Sequence, residues 1–357
     1  MNDLPFVLLG FAVLLHVLFV SITIGSGWIT AYSRLNAYMK GDAYLERFAR
    51  KAFRILVVFE LFSGVWGTII TVILAGFFPG LTALATNVLF TPLLIALIAI
   101  MIRIPSIGIF WYTWGKVHPR THSFIGLTMA ISGFLIPFGF RAVFSEISSP
   151  TAVAEFIAYG VANPFTAYTS TMFWLLYMHT IFASLSVGGF VVAFLNPLEK
   201  DERGMKIGYR YGIAFLIAQI PIGILYWLSH AHYSNYIFQS ITFGAFLPVF
   251  IAKVTAVALL LTLSVLGYGK RAPSALVLLS LSAVFFGELM NGGARYPYLV
   301  VLGDKGIHFS AFTNFYIEVP MVAVFVILVF LLTSVLVFLT AVFYALFKRY
   351  LADVPGA

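Results

Sequence analysis

The chain has 357 residues, of which 61% are hydrophobic and only 10% charged. Soluble domains carry about 25% charged residues, so the composition excludes a soluble globular protein. A mean hydropathy of +1.01 makes lipid the main solvent. The apolar runs continue for roughly 20 to 30 residues without alternating, which argues against a β-barrel. Cysteine is absent, so disulfides, iron–sulfur clusters and thiolate metal sites are excluded. Any metal chemistry falls to His, Met, carboxylate or Lys. The net charge of +8 is carried mostly by loops, and no nucleic-acid partner is expected.

At about 20 apolar residues per span, the pattern predicts an all-α integral membrane protein with nine transmembrane helices. They fall at about 5–32, 52–78, 88–114, 123–147, 165–196, 207–230, 241–267, 274–297 and 317–347. The N-terminus lacks a basic leader region and an A-x-A-like cleavage site, so span one reads as retained. The loops are all short, so a single transmembrane domain is expected over 1–357. Loops 148–164 and 298–316 read as short interfacial helices or lids. The charged run Leu198–Lys206 reads as a solvated turn, and His118 and His122 as residues of a Pro-containing loop.

Basic residues set the orientation. Fourteen Lys and Arg lie in loops 33–51, 115–122, 198–206 and 268–273 and in the tail, and Arg54 and Arg210 join them at span ends. The alternate loops hold only Lys305, with Arg141 and Arg295 near span ends. The N-terminus is therefore expected outside and the C-terminus in the cytoplasm.

Residues 16–25 (HVLFVSITIG) and 179–188 (HTIFASLSVG) share His, Phe, Ser and Gly at matching positions. Spans one and five run in the same direction, so the chain reads as two parallel four-helix repeats, about 5–147 and 165–297, plus a final helix at 317–347.

Ionisable groups inside spans are costly and mark functional sites. His16 lies about eleven residues from the outer end of its span, roughly 16 Å deep, and His179 is at similar depth. Lys253 and Glu288 occupy the same outer half, with Arg141 and Arg295 above them. Two imidazoles in the core below two guanidinium groups suit haem, with axial ligands inside and propionates at the interface. Arg103 and Glu60 also need partners and are candidates for one another; depth alone leaves this open.

Span one (FAVLLHVLFVSITIG), span five (FWLLYMHTIFASLSVGG), Gly64-Val65, Pro92-Leu93 and Arg295-Tyr296-Pro297-Tyr298 together resemble the haem-bearing subunit I of cytochrome bd-type oxygen reductases. The resemblance covers most of the chain in the family's order of nine spans. It implies His16 as ligand to an active-site haem and His179 as ligand to the low-spin haem b, with haem d as a further candidate. It implies electron transfer and reduction of oxygen to water in the plasma membrane, with quinol as a candidate donor.

The departures carry information too. The family's Met ligand in span seven aligns with Lys253, expected here to be charged and salt-bridged. An unusual axial ligand is the alternative if the amine is neutral. The acidic pair of span three aligns near Ala96 and Arg103. The acidic ligand of span eight aligns with Gly292, with Glu288 one turn back. The long quinol loop is reduced to about His230–Ser240. The cofactor-binding set is thus His16, His179, Glu288, Arg295, Arg141 and Lys253, with His16 and His179 on haem iron. The chain is expected to pair with a second membrane subunit, a paralogue or subunit II. A haem-poor scaffold for a catalytic partner and a transporter are the competing readings.

Overall fold

The computed structural model describes residues 3–195, 201–267 and 272–313, with Val329 and Leu336. Eleven helices and one hairpin follow in chain order: α1 (Leu4–Lys40), α2 (Ala43–Phe77), α3 (Pro79–Val88), α4 (Phe90–Tyr112), α5 (Pro119–Glu146), α6 (Thr151–Tyr159), α7 (Thr171–Leu195), α8 (Glu202–Tyr233), α9 (Asn235–Thr242), α10 (Leu247–Val265), α11 (Pro273–Gly293), β1 (Tyr298–Leu302) and β2 (Lys305–His308). Eight of these helices are long and apolar enough to cross a membrane. They match the first eight expected spans, while the ninth, 317–347, lies outside the described residues. The short helices α3 and α9 were not expected.

Several boundaries differ for local reasons. The expected loop 33–51 is almost entirely helical. Gly41 ends α1 in the left-handed conformation at φ 63°, which a glycine adopts without a Cβ penalty. Asp42 then caps α2, accepting from the amides of Tyr44 at 2.9 Å and Leu45 at 3.3 Å. His122 is not in a loop, because Pro119 opens α5 at a first-turn position, where its missing N–H costs nothing. His122 is buried, with both ring nitrogens engaged. Nδ1 accepts from Arg34 Nε at 2.9 Å, and Nε2 donates to the Phe110 carbonyl at 2.9 Å. Segment 298–308 is an antiparallel hairpin turning at Gly303 (φ 60°), rather than a helix. The run Leu299-Val300-Val301 is β-favouring, and Val301 N–H bonds the Ile147 carbonyl at 2.9 Å, fastening the hairpin to the end of α5.

The run expected as a solvated turn is instead tied down where it is described. Asp201 caps α8 through the Gly204 amide at 2.9 Å and accepts from Tyr44 Oη at 2.6 Å and Lys51 Nζ at 3.1 Å. Arg203 donates to Asp42 at 2.5 Å. Burial alone would raise the Asp201 carboxyl, but its bonds from Tyr44, Gly204 and Lys51 outweigh burial and hold it below the usual carboxylate range. The hydrogen bond from Arg203 chiefly does the same for Asp42.

The two copies of the sequence motif meet where α1 crosses α7. A Cβ on Gly25 would collide with the Ser184 carbonyl oxygen and lie 2.7 Å from the Gly188 Cα. A Cβ on Gly188 would lie 2.5 Å from the Gly25 Cα. Without a hydrophobic force between helices in lipid, such small-residue contacts let backbones approach and gain dispersion. The hydroxyls nearby stay satisfied within their own helix, as Ser26 does on the Ile22 carbonyl at 2.7 Å and Ser184 on Thr180 at 2.8 Å.

Gly25→Ala and Gly188→Ala each force backbone apart and should destabilise by about 1–3 kcal/mol or more. Gly64→Ala meets nothing within 4 Å and should be neutral. Thermal unfolding in detergent separates the two classes. Acid unfolding tests the Asp201 clamp. Folding lowers this pKa, so the native state binds fewer protons than the unfolded chain and stability rises with pH. The contribution is complete above the unfolded value of about 3.9 and is lost as pH falls through the folded value. Asp201→Asn should therefore be less stable than the parent at neutral pH, with the gap closing below about pH 4.

Candidate functional site

A partly open cavity of about 80 Å³ is bounded by α1, α5, α7, α8, α10 and α11. One stripe of each helix faces it: Leu176, His179, Ala183 and Ser186 on α7; Lys253, Val257 and Leu260 on α10; Ser280, Ala283, Gly287 and Asn291 on α11. These follow the three- and four-residue spacing of a helix face. Phe190, Leu216, Leu260 and Leu276 close one end. At the hairpin end, Met290, Ala294, Val301 and Ile241 pack as a second cluster.

His179, Lys253, Glu288 and Arg141 all line this cavity. Arg141 Nη2 donates to Glu288 Oε1 at 3.2 Å, joining α5 to α11. Asn291 Nδ2 approaches Glu288 Oε2 at 3.4 Å, and Tyr226 Oη donates to Asn291 Oδ1 at 3.4 Å. Arg141 Nη1 is buried without a hydrogen-bond partner. Among the described residues, the salt bridge expected for Lys253 does not form, because the nearby carboxylate is engaged by Arg141.

His16 and His179 are each backed by a glycine on the next long helix. A Cβ on Gly67 of α2 would sit 3.2 Å from His16 Cε1, and one on Gly223 of α8 would sit 3.0 Å from His179 Cε1. His16 Nδ1 donates to the Ser63 carbonyl at 2.8 Å. That bond fixes the tautomer and leaves Nε2 as the base. The corresponding neighbour of His179 is Gln219, whose amide lies 3.5 Å from Nε2, while Nδ1 is buried without a hydrogen-bond partner. Arg295 does not reach the cavity wall. Its Nε donates to Asn291 O at 3.0 Å, Nη1 to Leu299 O at 3.5 Å and Nη2 to Ser148 at 3.4 Å, so it secures the hairpin.

The structure settles Arg103 and Glu60. Arg103 Nε donates to Glu60 Oε1 at 2.7 Å and Nη2 to Oε2 at 2.8 Å, a bidentate pair. Nη1 bonds the Met129 carbonyl at 3.0 Å. The guanidinium lies against Gly133, where any Cβ would collide with it. Gln219, Tyr226 and Asn291 were not anticipated. A scan of the spans for amides and phenols beside charged groups would have found them, since Asn291 lies three residues from Glu288 on one helix face. Among the described residues no three His, Asp or Glu side chains converge to hold a bare metal ion.

Eight long apolar helices with ion pairs set between them define a multi-pass helical membrane protein. The family model described as Cytochrome bd terminal oxidase subunit I matches residues 7–234, and the chain belongs to that family, a component of bd-type oxidases. The fold is similar to that of a chain in "The structure of bd oxidase from Geobacillus thermodenitrificans", with a TM-score of 0.81 and 17% sequence identity over 98% of this chain and 100% of that one. No curated protein sequence matches this one.

Removing the counter-charge of Arg103, whose side chain is 2% exposed, should be severe. Glu60→Gln is expected to cost about 3–5 kcal/mol, as for other broken buried pairs. Glu60→Gln combined with Arg103→Met should recover much of it. Thermal unfolding and folded yield of the two variants in detergent check this.

Proposed function

We propose that the chain is a haem-bearing subunit of a bd-type terminal oxidase, passing electrons towards the reduction of oxygen to water. The observation that carries this reading is the pair of membrane-depth imidazoles, each set against a helix glycine, one of them with Nδ1–H tied to a carbonyl. Metal-ligating histidines are oriented in this way, with one ring nitrogen donated to a carbonyl and the other left for the metal.

The residues present fit a haem. His16 Nε2 is left as a free base by the bond to Ser63, and His179 borders a cavity lined largely by apolar and small side chains. Arg141 keeps a buried, unpartnered Nη1 beside the same cavity, a donor suited to a carboxylate. When bound, haem supplies a one-electron couple and an iron centre for oxygen chemistry. His16 and His179 would hold haem b, or haem d at His16, through a ring nitrogen. Arg141 would hold a propionate and Glu288 would orient Arg141. Arg295, bonded to the protein through Nε, Nη1 and Nη2, would act by holding the hairpin.

The two-repeat organisation supports the same reading. Gly25 meets its motif counterpart Gly188, and each motif histidine faces a glycine of the following long helix. The basic end of the bundle would lie in the cytoplasm, with the N-terminus outside and a ninth helix completing the set at 317–347. The plasma membrane is the expected site. A second, related membrane subunit would supply what span three and the shortened 230–240 segment lack: the acidic pair and the quinol loop.

Difference spectra of the complex purified from membranes test this. A reduced haem b band is expected, with His16→Ala and His179→Ala each lowering the haem-to-protein ratio. Unchanged haem content in both variants, or a folded complex without haem, would overturn the proposal.

A further inference from the structure

We propose that the seam between α2 and the end of α4, at the basic end of the bundle, binds the phosphate group of an anionic membrane lipid, with Arg50 as its principal donor. Arg50 lies on α2 just before the apolar stretch Ile55–Phe59, the level at which a spanning helix passes from headgroups into hydrocarbon. Its guanidinium sits over the Trp114 ring, 5.0 Å from the centroid. Its Nε is buried without a hydrogen-bond partner, and among the described residues Arg50 forms no ion pair. A guanidinium is a planar fork of donors that matches a phosphate and also stacks on an aromatic face. Here the stacking is made and the fork is left unused.

The surroundings of Arg50 favour an anion. Glu46, one turn earlier on α2, accepts from Trp114 Nε1 at 3.1 Å. Arg34 of α1 is buried, with Nε donating to His122 Nδ1 at 2.9 Å, and it lies close enough to Glu46 and Arg50 for the three charges to act on one another. Two guanidinium groups thus stand beside Glu46, a surplus of positive charge that suits an anionic headgroup better than a zwitterionic one. The neighbouring surface favours a lipid over free phosphate. Phe53 of α2 packs against Trp111 at 5.6 Å and Trp114 at 6.3 Å, which closes the seam. Trp111 and Tyr112 are exposed, and Lys116 Nζ lies 3.6 Å over the Tyr112 ring. Exposed Trp and Tyr beside cations mark a helix end at the membrane–water interface. Further along α4, Ile104 and Ile109 are exposed as well, an apolar surface for the acyl chains of a lipid whose phosphate is held at Arg50. Basic pockets between spanning helices at this level hold anionic headgroups.

Native mass spectrometry of the complex purified from membranes, titrated in detergent with phosphatidylglycerol or phosphatidylcholine, tests the site. The parent should take up phosphatidylglycerol in preference to phosphatidylcholine. Arg50→Gln should weaken phosphatidylglycerol uptake about fivefold, the effect of one basic residue at a lipid surface. Lys206→Gln, which removes an exposed charge at the start of α8, should leave uptake as in the parent. Inorganic phosphate at millimolar concentration should not displace the bound lipid. Equal losses in Arg50→Gln and Lys206→Gln, or no loss in Arg50→Gln, would overturn the assignment to this seam. Displacement by inorganic phosphate would overturn the choice of a lipid. If Arg50→Gln does not fold, the parent alone decides: equal uptake of the two lipids, as expected of a patch built for an acidic protein, would overturn the proposal.

Discussion

The constraint on which the bundle rests is that a charge placed among apolar helices must find its opposite inside the protein. Arg103 and Glu60 meet this condition most completely. One guanidinium on α4 binds a carboxylate on α2 through two nitrogens and a carbonyl of α5 through a third, pressed against Gly133. Arg141 and Glu288 repeat the device on a larger scale, joining α5 of the first half to α11 of the second. Once these pairs are made, Lys253 stands beside the cavity with Glu288 already engaged by Arg141.

Much of the arrangement was legible in the residues. His16 and His179 stand out because imidazoles are rare in apolar runs, and their shared motif pointed to spans one and five as counterparts. The spans themselves follow from composition and length. What failed was local. A Pro-containing segment reads as a loop around His122, yet at a first-turn position Pro119 starts a helix. Segment 298–308 is amphipathic enough to read as an interfacial helix or lid, but its β-branched residues and the Gly303 turn make it a hairpin.

The pairing of Arg141 with Glu288 could not be read from the sequence for a different reason. The two residues are 147 positions apart, and each had a plausible separate role, one towards a propionate and one towards a metal. Only the fold, which sets α5 and α11 on the same cavity, brings them together. Arg295 shows the reverse case. Its motif suggested a role at the cofactor, yet all its bonds hold backbone and the Ser148 hydroxyl at the rim of the bundle. Charge and depth identify a residue as consequential, but the occupancy of its donors determines what it can still bind.

The crossing of α1 and α7 bears on how the two histidines relate to each other. Gly25 and Gly188 bring the two backbones together with no side chain between them, and each imidazole lies nine residues before its glycine on the same helix. The separation of His16 and His179 is therefore set by main-chain contact, not by side chains that can change rotamer. Thermal motion in the surrounding bilayer, or exchange of bulky residues elsewhere in the bundle, would leave that spacing almost untouched. A gap fixed this way is held by main chain rather than by rotamers, a property that a crossing padded with leucines could not guarantee.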